Sequence, residues 1–217
     1  MAYFSVFIGN KLISCDTVVP ILLAVKEKNK HAHITVYCLN NETKAHIEKN
    51  IVLYTAIKKV GSLISISAKG EGRIKRVKTY LSSIFRLILL SIRSLFLDQK
   101  IIHFGLLEDW RFRVLYLLSP SKTYYMENNC WGWSNLVYEV DNMYKERVIN
   151  KSINSAKNII AFSKDHPVYI ESNSLKFNRY LLTPSRLWPV WQKFIKNDAE
   201  KIWLEECTKY NVNKTEK

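Results

Sequence analysis

Cysteine is scarce and scattered in this 217-residue sequence. Cys15, Cys38, Cys130 and Cys207 form no C-x-x-C pair, and no histidine stands at ligand spacing from any of them. That argues against a zinc site and a disulfide scaffold, and it fits a reducing compartment. No metal is therefore expected. Neither G-x-G-x-x-G nor G-x-x-x-x-G-K-S/T occurs, so the chain carries no dinucleotide fingerprint and no P-loop. No uninterrupted apolar run reaches the ~18 residues that span a bilayer. The opening MAYFSVFIGNKLIS has no basic stretch ahead of its apolar residues and reads as a strand, not a signal peptide. The expected location is cytoplasmic, attached at most to the inner face of a membrane.

Acidic residues are the other shortage, 19 against 33 Lys and Arg, which leaves a formal net charge of +14. Such a surface favours phosphates, nucleic acid or an acidic membrane face. Lysine supplies 24 of the 33 bases, and Asn and Ile are abundant, so a biased base composition is the plainer source of much of this charge. What is present in quantity is apolar: 47% hydrophobic against 24% charged residues. That buries a sizeable core and excludes wholesale disorder, with room for one large domain or two small ones.

Two hydrophobic periods alternate along the chain. Residues 3–8, 33–39, 63–67, 100–104, 122–126 and 158–163 read as six strands, and 180–183 as a seventh at most. Between them lie helical patterns. Asp16 or Thr17 is expected to cap the first helix, with Pro20 in its first turn. Asn40 and Asn41 open a second helix that runs to about Val60, where Gly61 ends it. Further helices are expected at 73–97, 108–118 and 138–155. This alternation predicts an α/β fold: a doubly wound, mostly parallel, Rossmann-like sheet of about six strands. Pro184 and Pro189 then punctuate the chain. A Trp-rich amphipathic segment (Trp188, Trp191, Trp203) and a polar tail follow, so 1–183 is expected to be the domain and 184–217 a helical segment or linker.

In such a sheet the ligand site lies at the carboxyl ends of the strands, which selects three loops. Gly9, Asn10 and Lys11 follow the first strand; they let a backbone approach a ligand and offer a cation to a phosphate, or they form an ordinary turn. His103, Phe104 and Gly105 close the fourth strand ahead of Glu108 and Asp109. An imidazole or carboxylate there can take a proton from a hydroxyl. Alternatively His103 is an interior histidine and the carboxylates favour a helix N-terminus. After the fifth strand come Glu127, Trp131, Gly132 and Trp133. Glu127 would be poised at the cleft, and the two indoles either offer faces to sugar rings or plug the core edge.

The charge also clusters. Residues 69–100 hold eight bases against two acids. On a helical wheel Lys75, Ser82, Arg86, Arg93 and Ser94 share one face, and Ile84, Phe85, Ile88, Leu89, Ile92, Leu95 and Phe96 cover the rest. A basic amphipathic helix can lie in an anionic membrane interface, each base adding about 1 kcal/mol. It can equally pack on the sheet with a solvated basic edge. Lys75, Arg86 and Arg93 are the membrane-binding candidates. Nucleic acid is the weaker partner, since aromatics are not interleaved with the bases.

Residues 101–105 (IIHFG), the helix 110–118, Ser119-Pro120-Ser121, Trp131-Gly132, Ile159–Ser163 with Asp165, and Leu181–Arg186 together resemble the N-terminal half of GT-B glycosyltransferases of bacterial surface polysaccharide synthesis. The likeness is to the Fuc4NAc transferase family and covers about residues 100–190. The family has a His-Gly pair closing a strand and a Trp-Gly-x-Asp element after the next. Here Phe104 intervenes between His103 and Gly105, and Ser134 replaces the Asp. The resemblance implies transfer of a sugar from a nucleotide-sugar co-substrate, with no other cofactor, to a lipid-linked or surface-polysaccharide acceptor. An inverting transfer needs a base, for which Asp109, Glu127 and His103 are candidates in that order. Gly9, Asn10, Lys11, Gly105, Trp131, Gly132 and Trp133 would line the substrate. GT-B enzymes have two such sheets, the first holding mainly acceptor and the second mainly donor. One sheet is readable here, so the chain is expected to be an isolated acceptor-side half that lacks the donor pocket and is inactive alone: a truncated product, a fragment, or half of a split enzyme whose second domain another chain supplies. The alternative is a non-catalytic module that docks on membrane or a partner through its basic helix.

Overall fold

The computed structural model describes residues 2–9, 12–66, 73–104, 111–126, 157–162, 164 and 178–210. Its strands are β1 (Tyr3–Ile8), β2 (His33–Cys38), β3 (Gly61–Ser65), β4 (Gln99–Phe104), β5 (Thr123–Met126), β6 (Asn158–Ala161) and β7 (Asn178–Leu181). They form one sheet in the order β3-β2-β1-β4-β5-β6-β7, and every pair is parallel. The fold is thus α/β and Rossmann-like, with the strand order reversing between β1 and β4. The seventh strand begins two residues before the expected Tyr180 and pairs with β6 as an exposed edge.

Helices α1 (Leu12–Lys28), α2 (Asn41–Lys49) and α3 (Ile51–Val60) cover one face. Val18 and Leu22 of α1, with Ala56 and Ile57 of α3, pack there on Val6, Ile8, Ile34 and Val36. The opposite face carries α4 (Arg73–Phe96) and α5 (Arg111–Leu118), whose Leu87, Leu90, Leu115 and Tyr116 pack with Phe7, Ile101, Tyr125 and Ile159. Strand alternation delivers both sets: within β4, Ile101 and His103 point to the α4 side, Ile102 and Phe104 to the α1 side.

Two local expectations change, at Asn50 and Pro20, while the one at Gly61 holds. The helix expected to run from Asn40 to Val60 is broken at Asn50, which ends α2 and caps α3 by accepting from the Leu53 amide at 3.2 Å. Gly61 ends α3 and opens β3 in extended backbone, where space is the constraint: a Cβ there would sit 1.9 Å from the Ile34 carbonyl oxygen. Pro20 lies inside α1, not in its first turn, and cannot donate to the Asp16 carbonyl. One turn before Pro20, the Thr17 carbonyl accepts from the Ser185 hydroxyl at 2.6 Å.

That contact docks the C-terminal segment. A 3-10 turn (Ser185–Leu187), α6 (Pro189–Phe194), a π turn (Ile195–Ala199) and α7 (Glu200–Lys209) follow β7. Trp191 and Phe194, stacked at 5.4 Å, are buried in the α1 face of the core. Lys59 bridges α3 to this segment, pairing with Asp198 at 2.5 Å and lying 5.3 Å from the Phe194 ring centre. Of the expected Trp-rich stripe, Trp203 stays exposed.

Candidate functional site

Open parallel sheets bind ligands in the crevice outside the carboxyl ends of the strands where their order reverses, which in this sheet is between β1 and β4. Gly9, immediately after β1, is buried. One residue inside the edge, Phe7 is in register with His103 across the β1–β4 pair. The same row continues to Tyr37 on β2 and Tyr125 on β5. Phe7 and Tyr37 stack at 5.0 Å, and the His103 and Tyr125 rings lie 6.4 Å apart. His103 is 2% exposed, so its imidazole sits in an aromatic row beneath the crevice, facing the α4 side. Phe104, beside it, turns into the opposite core.

Sequence reasoning missed this row. Tyr37 and Tyr125 read only as alternating strand residues, and the signal was their common register with Phe7 and His103, which needs the strand order. Behind the row, Gln99 donates through Nε2 to the Ser5 hydroxyl at 2.6 Å, fixing β4 to β1. Burial pushes the Tyr37 phenol above its ordinary value, and its bond with Ser5 and the positive fields of Arg93 and Arg86 partly offset this. The two guanidiniums therefore lie within electrostatic reach of the row, from the basic edge of α4. Arg86 also donates to the Ser65 and Ile66 carbonyls at 3.2 and 3.4 Å, tying α4 to the end of β3.

Of the expected site residues, Gly9 thus stands just past β1 and His103 lies buried inside the neighbouring β4, with Arg86 and Arg93 on α4. Lys75 lies in the first turn of α4. Asn10, Lys11, Gly105, Asp109, Glu127, Trp131, Gly132 and Trp133 lie outside the described residues, as does the helix expected at 138–155. A second charged point stands by α1, where Arg186 is 3.6 Å from Asp16, whose carboxyl burial holds above the usual range. Among the described residues no group of three His, Cys, Asp or Glu could hold a metal ion. No helix among them is long and apolar enough to cross a membrane.

The helical-wheel expectation for α4 needs correcting. Ser94 does not share the exposed basic face: it is fully buried, as are Ser83 and Ser91. The face toward the sheet is Ser83, Leu87, Leu90, Ser91 and Ser94, and the bulky apolar side chains point outward. Local bonds permit this. Ser91 donates to the Leu87 carbonyl at 3.0 Å and Ser94 to the Ser91 carbonyl at 2.6 Å, so these hydroxyls enter the interior already satisfied.

No family model matches the chain, and no curated protein matches it. Among solved structures it is similar to a glycosyltransferase from Rickettsia africae ESF-5, at 11% sequence identity and a TM-score of 0.42. That likeness covers 99% of this chain and 50% of the other, so the chain spans about half the length of that structure.

Proposed function

We propose that this chain is the acceptor-side half of a GT-B-type glycosyltransferase that moves a sugar from a nucleotide-sugar to a lipid-linked or surface-polysaccharide acceptor. The observation that carries the reading is the reversal of strand order between β1 and β4, with Gly9 buried just past β1 and His103 in its aromatic row within β4. The resemblance over residues 100–190 supports it. In the reaction a base removes the proton from an acceptor hydroxyl, the oxygen bonds to the anomeric carbon, and the nucleoside diphosphate leaves with the electron pair of the broken bond. Asp109 and Glu127 are our first choices for the base; His103 is third, because it is enclosed. Basic residues near the cleft would offset the diphosphate charge. A second sheet of the same kind would bring the donor.

Amide resonances of isotope-labelled protein, titrated with a polyprenyl-diphosphate-linked disaccharide in bicelles, test the location. Gly9 and Phe104 should shift first. Shifts confined to the amino-terminal edge of the sheet, around Ala2, Ala32 and Lys122, would overturn the assignment.

A further inference from the structure

Helix α4 is built the wrong way round for a helix whose only task is to cover a sheet. It spends serines and two leucines on the interior and leaves its largest apolar side chains outside. Leu81 is 59% exposed, Phe85 61% and Phe96 84%, and Leu89 and Ile92 lie on the same outward strip. Leu117 and Leu118 of the neighbouring α5 are exposed as well. No element among the described residues packs on this strip. A soluble monomer rarely leaves so continuous an apolar surface in water, and such surfaces mark sites of contact.

Charge decides the occupant. Residues 73–96 contain six bases and no acid. Arg86 and Arg93 run along one border of the strip, at the angle on the wheel between the buried and the outward faces, and both are exposed. Two copies of this helix brought face to face would set six bases against six, with no carboxylate on either to answer them, which disfavours a second copy. A bilayer with anionic headgroups meets both requirements, taking the apolar strip to the acyl boundary while the arginines stay among the phosphates.

The length of the helix gives the docking a direction. At 24 residues α4 is about 36 Å long, whereas five- and six-residue strands span roughly 17–20 Å. Among its described side chains the buried ones begin at Ser83, and Arg86 is tied to the carboxyl end of β3. The N-terminal half therefore overhangs the carboxyl edge of the sheet, on the side of the β1–β4 crevice.

We infer that α4 is a peripheral membrane-docking helix: its strip Leu81, Phe85, Leu89, Ile92 and Phe96, bordered by Arg86 and Arg93, lies in the interface of an anionic bilayer and holds the crevice edge toward the lipid. This stands whether or not the chain takes part in sugar transfer.

Sedimentation of the 217-residue protein with vesicles tests it, comparing phosphatidylcholine alone with the same lipid carrying about 30% phosphatidylglycerol. The wild type should sediment with the anionic vesicles and lose at least ~10-fold in partitioning on neutral ones or in high salt. The double variant Phe85→Ser/Ile92→Ser should lose a similar factor on anionic vesicles with its thermal midpoint kept. Three results would overturn the inference. One is binding that ignores the substitutions. Another is a thermal midpoint lowered by more than about 4 °C, which would mean the strip is covered within the fold. The third is a monomer–dimer equilibrium in analytical ultracentrifugation that the same variant abolishes.

Discussion

At the scale of single residues, the two thiols under the crevice side of the sheet are chemically silent by placement. Cys15 on α1 and Cys38 at the end of β2 are buried, and desolvation pushes both up to about 12 from an ordinary value of 9.0. Between those values the unfolded thiols ionise while the folded ones keep their protons, so the native state binds more protons and stability falls as pH rises through that window. Below pH 9 both states are protonated and the thiols add no pH dependence. The urea midpoint should therefore drop between about pH 8 and about pH 10.5, and drop less in Cys15→Ala/Cys38→Ala. An equal drop in the variant would show that other groups carry the effect. This also removes either cysteine from consideration as a nucleophile, since the thiolate is the reactive form.

At the scale of elements, the C-terminal segment is held by a short chain of causes. The Thr17 carbonyl accepts from the Ser185 hydroxyl, and Trp191 reaches into the core on the α1 face. Trp191→Ala should cost about 3–5 kcal/mol, seen as a lowered urea midpoint; a cost under about 1 kcal/mol would mean that α6 is not anchored there. The sequence shows Pro20 but not its depth in the helix, because α1 begins four residues before the residues that look most like caps. The same limit explains Asn50. An Asn within a helical pattern is compatible with a continuous helix, and only its bond to Leu53 makes it a cap at once ending α2 and starting α3. Strand existence and order of alternation were legible because buried parallel strands read as short apolar runs. For α4 the period was legible and the facing was not. Periodicity groups residues by face without saying which face is inside, and a serine face becomes the buried one only when its hydroxyls bond within their own turn.

At the scale of the molecule, seven parallel strands make a single doubly wound sheet, with one reversal of order between β1 and β4. A reversal in strand order followed from the fold class. The Tyr37–Phe7–His103–Tyr125 row did not, because residues brought together from β2, β1, β4 and β5 share no spacing in the chain. The central claim is that this sheet serves the acceptor. Calorimetric titration of the 217-residue chain measures it most directly, with UDP-, dTDP- and GDP-sugars in one series and a polyprenyl-diphosphate-linked saccharide in bicelles in the other. The account predicts roughly micromolar binding of the lipid-linked saccharide and nucleotide-sugar binding weaker than about 1 mM. Tight nucleotide-sugar binding, with none of the acceptor, would contradict it.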